Sequence, residues 1–341
     1  MKILFFSLIV ILLVAFKGND DLFFIPKNWP KPSYNFTNNP IDKQKVFLGR
    51  VLFYDPMLSR DNKISCASCH SQYSAFTHID HALSHGIRDS IGTRNSPALM
   101  NLAWQNLFMW DGAINNLDMQ ALAPISHPAE MGSNIGDVIK KLNASKYYRE
   151  LFYKAYGDSV ATGEKALKAF SQFLVTIISA NSKYDKMMRK EETFTKQEEN
   201  GYSLFKKNCA SCHKEPLFTT NNFANNGLIV DTFLNDFGRI KITHNPNDSL
   251  KFKIPTLRNI EFTFPYMHDG RFKKLSEVLT HYTNGIQKTK TLSPELQQTI
   301  ILSSNEKVDL IAFLLTLTDK EFMFSQKFRY PKDILFETIE K

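Results

Sequence analysis

The same five-residue motif, Cys-Ala-Ser-Cys-His, occurs twice in this chain, at residues 66–70 and 209–213. C-x-x-C-H is the attachment motif of a c-type haem, in which two thiols bond to the porphyrin and the histidine ligates the iron. For one isolated C-x-x-C, a zinc site or a redox pair would be the alternative. All four cysteines of the chain belong to the two motifs, so no other cysteine could complete a zinc site. We therefore expect two covalent haems, bound through Cys66, Cys69 and His70, and through Cys209, Cys212 and His213.

The pattern of apolar residues predicts a mostly α-helical protein of two cytochrome c-like haem domains with long ordered loops. Helical spacing or helix-ending signals occur at residues 43–53, 145–156, 164–180, 201–207, 275–282 and 304–317. Residues 71–98 and 214–260 are rich in turn formers, and few segments alternate with the period of a strand. The charge-dense stretch 183–200 is the expected junction. We place the N-terminal domain at residues 19–184 and the C-terminal domain at residues 185–341.

The first residues have the features of an export signal. Met1 and Lys2 precede an apolar stretch at residues 3–16, which is short for a membrane span. No clear small-residue cleavage motif follows it, so residues 1–18 are predicted to be a signal peptide or an uncleaved membrane anchor. Because c-type haems are attached outside the cytoplasm, we expect a periplasmic protein.

The charge and composition of the chain limit the kinds of molecule that it is expected to bind. The net charge is +8, a moderate excess that favours an acidic redox partner through electrostatic steering. The chain has no basic run interleaved with aromatic residues, so nucleic acid is not an expected partner. With 43% hydrophobic residues and 28 phenylalanines, it has enough apolar side chains to surround two porphyrins.

The repeat extends beyond the haem motifs. A helical segment ending in Leu-Phe precedes each motif, and a Phe-Thr pair follows each one; the segments are Gly49-Arg50-Val51-Leu52-Phe53 and Gly201-Tyr202-Ser203-Leu204-Phe205, and the pairs are Phe76-Thr77 and Phe218-Thr219. This pattern is consistent with duplication of one haem-binding unit.

Longer strings of residues point to a known family. The chain contains Gly49-Arg50-Val51-Leu52-Phe53-Tyr54-Asp55-Pro56, Arg94-Asn95-Ser96-Pro97, Trp110-Asp111-Gly112, Pro128-Ala129-Glu130-Met131-Gly132, Pro255-Thr256-Leu257-Arg258-Asn259 and Pro265-Tyr266-Met267-His268-Asp269-Gly270. In this order, over roughly residues 45–285, they resemble the bacterial di-haem cytochrome c peroxidases. That family also includes the methylamine-utilization enzyme MauG, which uses peroxide to oxidise residues of a partner protein.

The resemblance implies different tasks for the two haems. The N-terminal haem would react with hydrogen peroxide, and the C-terminal haem would receive or relay electrons. The match of the Pro-Ala-Glu-Met-Gly string to the family's catalytic loop implies that Glu130 handles protons, although an isolated loop glutamate would ordinarily face solvent. Gln120 and Pro124 match positions that line the same pocket. Trp110 matches the tryptophan that lies between the haems.

A calcium ion between the domains is also implied by similarity. Asn95 would supply its side-chain oxygen, and Thr263 and Pro265 would supply backbone carbonyls, which are the hard ligands that calcium prefers. Taken alone, Asn95 before Ser96-Pro97 would be interpreted as a turn residue.

The second axial ligand of the C-terminal haem departs from the peroxidases. Where they have a methionine, counted from the position of His268, this chain has Tyr282, as MauG also does. Tyr282 shares a predicted helical face with apolar residues, so it is expected to point inward, either as a ligand or as a core tyrosine. Met267 is the competing ligand. The choice matters because a methionine raises the haem potential, whereas a phenolate stabilises ferric iron.

The N-terminal haem has an open question of its own. Some peroxidases carry a histidine that caps the resting iron, and His85 lies one position from that place, with His78 and His81 nearby. Loop histidines usually face solvent, so an open iron face is favoured.

Three functions follow as alternatives. The first is a periplasmic di-haem peroxidase that reduces hydrogen peroxide with electrons from a cytochrome c or a cupredoxin. The second is a MauG-type enzyme that oxidises a partner protein, which Tyr282 favours. The third is a pure electron carrier, which Glu130 and Trp110 disfavour. The sequence leaves open whether the protein is a monomer or a homodimer.

Overall fold

The computed structural model describes residues 22–335, which are mostly helical. The predicted signal peptide or anchor at residues 1–18 lies outside the described residues. The α-helices are α1 (Lys43–Tyr54), α2 (Cys66–Cys69), α3 (Leu117–Gln120), α4 (Leu122–Ser126), α5 (Ile135–Ala144), α6 (Lys146–Tyr156), α7 (Gly163–Thr176), α8 (Lys183–Met188), α9 (Lys196–Asn208), α10 (Ile240–Thr243), α11 (Leu275–Thr280), α12 (Ser304–Leu315), α13 (Lys320–Met323) and α14 (Lys332–Leu335). Strands β1 (Phe223–Ala224) and β2 (Phe252–Lys253) pair antiparallel, with Phe223 opposite Lys253. Long loops connect the helices, and no helix within residues 22–335 is long and apolar enough to cross a membrane.

The prediction of a mostly helical fold with long loops is confirmed, and the differences concern one helix end and helices that were not predicted. The apolar run predicted as a helix to residue 180 leaves the helix after Thr176, because Asn101 bonds to the Ile177 carbonyl and to the Ser179 amide instead. The stretch 183–200, predicted as a junction, forms α8 and the start of α9. Each of these helices begins with a capping box. Neither α8 nor the start of α9 was predicted, because the many charged residues of this stretch favoured a junction. Helix α5 was not predicted.

The first hydrophobic core forms where α1 crosses α7. At the crossing, a Cβ on Gly49 would overlap the carbonyl oxygen of Ala169, so only glycine allows the two backbones to approach this closely. One helical turn later, Phe53 is 1% exposed and its ring contacts that of Phe173, with centroids 5.3 Å apart. The helix that precedes the first haem motif is therefore fixed by close backbone packing.

The second core repeats this arrangement with α9 and α12. A Cβ on Gly201 would overlap the carbonyl oxygen of Asp309, and one turn later Phe205 is fully buried against Phe313, with ring centroids 5.1 Å apart. The glycine and phenylalanine of the sequence repeat thus have one structural role in both halves, which is to pack the helix before each haem motif against a partner helix.

The last described segment returns to the first core. The core residues Phe322, Met323, Phe328 and Leu335 belong to the cluster built around α1 and α7. The Tyr54 hydroxyl also donates to the Phe328 carbonyl at 2.7 Å. The chain after α12 therefore packs on the N-terminal half, and the domain limits at 19–184 and 185–341 stay a prediction.

A buried arginine fixes the segment that follows the second haem motif. Arg258 is fully buried and donates to both carboxylate oxygens of Asp185, at 2.9 and 2.8 Å, and to the Pro216 carbonyl. Next to it, the Asn259 side chain accepts from the Asp319 amide at 2.7 Å. The string Pro255-Thr256-Leu257-Arg258-Asn259 is thus a structural junction between α8, the loop after the second motif and the end of α12.

A second arginine, which is partly buried, joins the two halves. Arg94 donates to both carboxylate oxygens of Asp236, at 2.6 and 3.0 Å, and to Asp111 at 2.6 Å. The Asp236 side chain is 3% exposed. Burial alone would raise the pKa of Asp236, but the hydrogen bonds and charge of Arg94 outweigh it and hold that pKa well below its ordinary value.

Replacing Gly201 tests the helix crossing. We expect Gly201→Ala to lower the free energy of unfolding by about 1–3 kcal/mol, because the new methyl group forces α9 away from α12. The matched control is Gly136→Ala, at an exposed position in the first turn of α5 where a Cβ meets only the Asn134 side-chain oxygen, 3.2 Å away, so stability should change by about 0.5 kcal/mol or less. Urea unfolding of the haem-loaded protein measures both, and equal effects would contradict the crossing.

Replacing Asp236 tests the ion pair between the halves. Its carboxylate stabilises the fold above the unfolded pKa of about 4, and this contribution is lost as pH falls below that value. We expect Asp236→Asn to cost about 1.5–3 kcal/mol near pH 7, because the buried charged hydrogen bonds to Arg94 are lost while Asp111 stays as its partner. The cost should shrink as pH falls below about 4, because the unfolded parent takes up a proton there while the folded parent keeps Asp236 charged. Stability curves of parent and variant that stay parallel down to pH 3 would contradict this assignment.

Candidate haem sites and the cleft between them

The first haem motif forms the short helix α2, capped by Ser65, and His70 ends it. The His70 ring nitrogen Nδ1 lies 2.9 Å from the Phe76 carbonyl, and burial lowers the pKa of His70 to about 4. A neutral ring that donates from Nδ1 keeps the Nε2 lone pair available for a metal. A ligating histidine usually donates its other ring N–H to an acceptor, and the Phe76 carbonyl is that acceptor for His70.

The second motif has the same design. The His213 ring nitrogen Nδ1 lies 3.2 Å from the carbonyls of Phe218 and Pro255, and burial lowers the pKa of His213 to about 4. Phe76 and Phe218 are both fully buried and both have positive φ, at 60° and 53°. This backbone conformation is uncommon for phenylalanine, and in each half it turns a carbonyl toward the histidine. The Phe-Thr repeat of the sequence is this turn.

A large apolar cleft opens beside the second motif. It encloses about 2190 Å³ of empty space, part of it open to solvent, and Cys209, Cys212 and His213 lie on its wall. Trp110 and Gln120 line it from the N-terminal half. The neutral histidine, the two thiols and the apolar walls fit a covalently attached porphyrin.

None of the four thiols forms a disulfide, so all of them are available for covalent attachment. Burial raises the pKa of Cys66 to about 12, of Cys69 to about 11 and of Cys209 to about 12. Within residues 22–335, no group of three or more His, Cys, Asp or Glu side chains is placed to hold a metal ion by itself.

Glu130 lies beside the first haem motif. Its side chain is 31% exposed, and burial raises the pKa of its carboxyl, although nearby His127 opposes this. Its charge in turn raises the pKa of the Cys66 and Cys69 thiols, which reflects how close it lies to them. The Ile87 amide donates to the Glu130 carbonyl at 2.7 Å and anchors the loop.

The other predicted pocket residues divide between two places. The Pro124 carbonyl accepts from the Met131 amide at 3.2 Å, so Pro124 lies against the Glu130 loop. Gln120 instead lines the cleft at the second motif, near Met109. Trp110 lies between the halves, where its indole donates to the Asn95 carbonyl at 2.9 Å and its own carbonyl accepts from the Lys253 amide at 2.7 Å.

The residues predicted to bind calcium come together. Asn95, Thr263 and Pro265 all line the cleft. Asn95 is 5% exposed, and its amide nitrogen Nδ2 donates to the Ala82 carbonyl at 2.9 Å. The backbone amide of Asn95 donates to the His268 carbonyl at 2.7 Å, so this residue joins the two halves whether or not calcium is bound.

Both candidates for the second axial ligand line the cleft. Burial raises the pKa of Tyr282 to about 12, a hydrogen bond from Asn226 opposes this, and the nearby Cys209 and Cys212 add to it. The Met267 sulfur accepts from the Asn226 side chain, with the two atoms 3.4 Å apart. Asn226 therefore contacts both candidates.

The three loop histidines form a stack. His78 and His81 are joined by a contact of 2.9 Å between ring nitrogens, and the rings of His81 and His85 lie 3.9 Å apart. The His85 ring nitrogen also pairs with Asp89 at 2.8 Å, while its carbonyl accepts from the Cys69 thiol. This loop covers the first motif through its backbone, and capping of the iron by His85 stays a prediction.

The sequence did not single out three residues that the structure places at these sites. Arg94 is part of a quoted string, but its ion pairs with Asp111 and Asp236 depend on residues distant in the chain. Asn226 and Lys253 lie in loop-rich sequence without a motif, and only the folded chain brings them to the cleft.

Comparison with known proteins agrees with this geometry. Residues 43–193 match the family of di-haem cytochrome c peroxidases, and residues 198–318 match cytochrome c. The chain is 34% identical to the methylamine utilization protein MauG of Methylorubrum extorquens, over 86% of this chain and 82% of that protein. It is also 34% identical to the cytochrome c551 peroxidase of Nitrosomonas europaea, over 82% of this chain and 81% of that protein.

Among solved structures, a MauG-like protein associated with microbial copper homeostasis has a TM-score of 0.81 and 31% identity, and the match covers 90% of this chain and 98% of that one. The resemblance inferred from the motifs is therefore confirmed, and haem is the cofactor that both matched domains imply. The chain belongs to the di-haem cytochrome c peroxidase family.

Proposed function

We propose that the protein reduces hydrogen peroxide to water with two electrons from a small redox protein, a cytochrome c or a cupredoxin. This proposal rests on Glu130, whose carboxyl group is partly buried, lies beside the first haem motif and has a raised pKa. An electron carrier has no need for such a group. Each turnover consumes one peroxide, two electrons and two protons and gives two waters.

When bound, the haem supplies the iron that takes up peroxide and the electrons that cleave it. Glu130 supplies the proton transfer: its carboxylate accepts a proton from the near peroxide oxygen and returns it to the far oxygen as that oxygen leaves. A carboxyl group whose pKa is raised toward neutrality can both accept and return a proton. Pro124 shapes the loop that holds Glu130, and Gln120 contributes a polar group on the side facing the second site.

The remaining assignments extend the same proposal. Trp110 carries electrons between the sites, because it lies between the halves: its indole donates to the Asn95 carbonyl, and its backbone carbonyl accepts from the Lys253 amide. Calcium binds at Asn95, Thr263 and Pro265, where an ion would be held by amide and carbonyl oxygens. His70 and His213 are the proximal ligands, and Tyr282 is the second ligand of the C-terminal haem. The protein acts in the periplasm, exported by residues 1–18.

Tyr282 also supports a second candidate function, the oxidation of side chains of a partner protein. A phenolate ligand stabilises ferric iron, so the C-terminal haem would store an oxidising equivalent rather than supply an electron. Three proteins that resemble this chain, from three organisms, are named MauG. In this case the side chains of the partner protein supply the two electrons that reduce peroxide, and no small redox protein is consumed.

Turnover separates the two functions. Peroxide is added to the haem-loaded protein with a reduced cytochrome c or cupredoxin, and oxidation of the donor is followed. A peroxidase should oxidise two donor molecules per peroxide at a steady rate. Slow donor oxidation, together with a long-lived spectral change after peroxide alone, would favour the second function.

Glu130→Gln tests the proton transfer. We expect peroxide consumption to fall by a factor on the order of 10² or more, because the amide cannot accept a proton, while both haem spectra persist. The control is Glu164→Gln, an exposed pair with Lys168 away from the site, which should turn over like the parent. Parent-like turnover of Glu130→Gln would show that another group moves the proton.

Tyr282→Phe tests the axial ligand. We expect the ferric spectrum of the C-terminal haem to change and its reduction potential to rise, because a hard anionic ligand is lost. Tyr282→Met should raise the potential further, toward the behaviour of the methionine-ligated peroxidases. The matched control is Met267→Leu, which should leave spectrum and potential unchanged. The reverse pattern would identify Met267 as the ligand.

A further inference from the structure

Lys253 is a half-buried lysine that the proposed mechanism does not use. It ends β2, and its amide donates to the Trp110 carbonyl at 2.7 Å. Its side chain crosses to the N-terminal half, where Nζ donates to the Gln105 side chain and the Leu107 carbonyl. The amine therefore lies at the boundary between the two halves, beside the tryptophan that separates the sites.

No carboxylate compensates the charge of Lys253. Arg94 and the buried Arg258 are each paired with aspartate, and Lys251, on the same segment, pairs with Asp248 at 3.3 Å. The two hydrogen bonds of Lys253 go to neutral oxygens, and the centroid of the Phe108 ring lies 5.6 Å from Nζ. Burial lowers the pKa of Lys253 to about 7. An ammonium group held in this way is normally unfavourable unless an anion joins it.

The cleft offers such an anion. Lys253 lines the same cleft as Cys209, Cys212 and His213. The segment that carries it continues directly to Pro255, whose carbonyl contacts the His213 ring. A porphyrin attached at this motif brings two propionate carboxylates into the cleft, and each of them needs a cation or water. An ammonium group has three N–H donors, and two of them are used, so one remains for the propionate.

We propose that Lys253 binds a propionate carboxylate of the C-terminal haem and fixes that edge of the porphyrin next to Trp110. The Lys253 ammonium group and the propionate carboxylate neutralise each other, since each otherwise lacks a partner of opposite charge. It also places a positive charge close to the porphyrin, which favours the reduced state. Lys253 is thus a positioning residue that acts on the haem and is not a catalytic residue.

This inference requires the C-terminal haem but not the proposed peroxide reaction. Its test is therefore the reduction potential of that haem, which is measured without peroxide. Failure of peroxide turnover leaves the proposal intact, and an unchanged potential leaves the proposed function intact.

Two substitutions at Lys253 give the test. In the haem-loaded protein, Lys253→Met keeps the length of the side chain and removes its charge. We expect the ratio of reduced to oxidised C-terminal haem at a fixed potential to fall about tenfold, which corresponds to about 59 mV for one electron. Lys253→Arg retains the cation and should restore most of the parent value. Lys196→Met, which removes an exposed lysine of α9, controls for net charge and should change nothing.

A potential unchanged in Lys253→Met, or lowered equally in Lys253→Arg and Lys253→Met, would overturn the proposal. If the variants do not fold, a crystal structure of the unaltered haem-loaded protein decides the question. Nζ within about 3.5 Å of a propionate oxygen supports the proposal. Nζ still bonded to Gln105 and Leu107, with both propionates beyond about 4 Å, overturns it.

Discussion

The ion pairs of Arg94 hold together the part of the molecule on which its chemistry depends. The guanidinium comes from the N-terminal half, and its partner Asp236 comes from the C-terminal half, with Asp111 completing the set. Arg94 and Asp111 adjoin Asn95 and Trp110, so one buried network positions the residue proposed to bind calcium and the residue proposed to carry electrons. Burying these charges is favourable only because each has a partner, which makes the relative placement of the halves specific.

The two haem sites share one design for their histidines and differ in what faces them. In both halves, a buried phenylalanine with positive φ turns its carbonyl toward Nδ1, and burial keeps the ring neutral. The first motif lies under a loop that presents Glu130, a group suited to moving protons. The second opens on an apolar cleft that contains Tyr282, Met267 and Lys253. This difference supports the division of labour that we propose, with peroxide handled at one site and electrons or oxidising equivalents at the other.

Membership of the family leaves the choice between peroxide reduction and partner oxidation to a few residues. Asn226 contacts both Tyr282 and Met267, so the two proposed axial ligands belong to one small cluster. A phenolate and a thioether shift the haem potential in opposite directions. Lys253 lines the same cleft, and its proposed bond to a propionate would act on that potential as well. In our proposal, the electronic properties of the C-terminal haem therefore depend on a few side chains rather than on the fold.

The sequence by itself determined the haem motifs, the helices that precede them and the family, because covalent attachment and helical periodicity depend on neighbouring residues. The repeated Gly-x-x-x-Phe segments indicated duplication, and only the structure showed that Gly49 and Gly201 pack on backbone where the helices cross. The tertiary structure decided where α7 ends, how the last segment returns to the first core, and which residues share the cleft. Arg94 with Asp236 and Lys253 with Gln105 join residues far apart in the chain. Burial and partners of a charge are properties of the folded chain, so no local pattern could have revealed them.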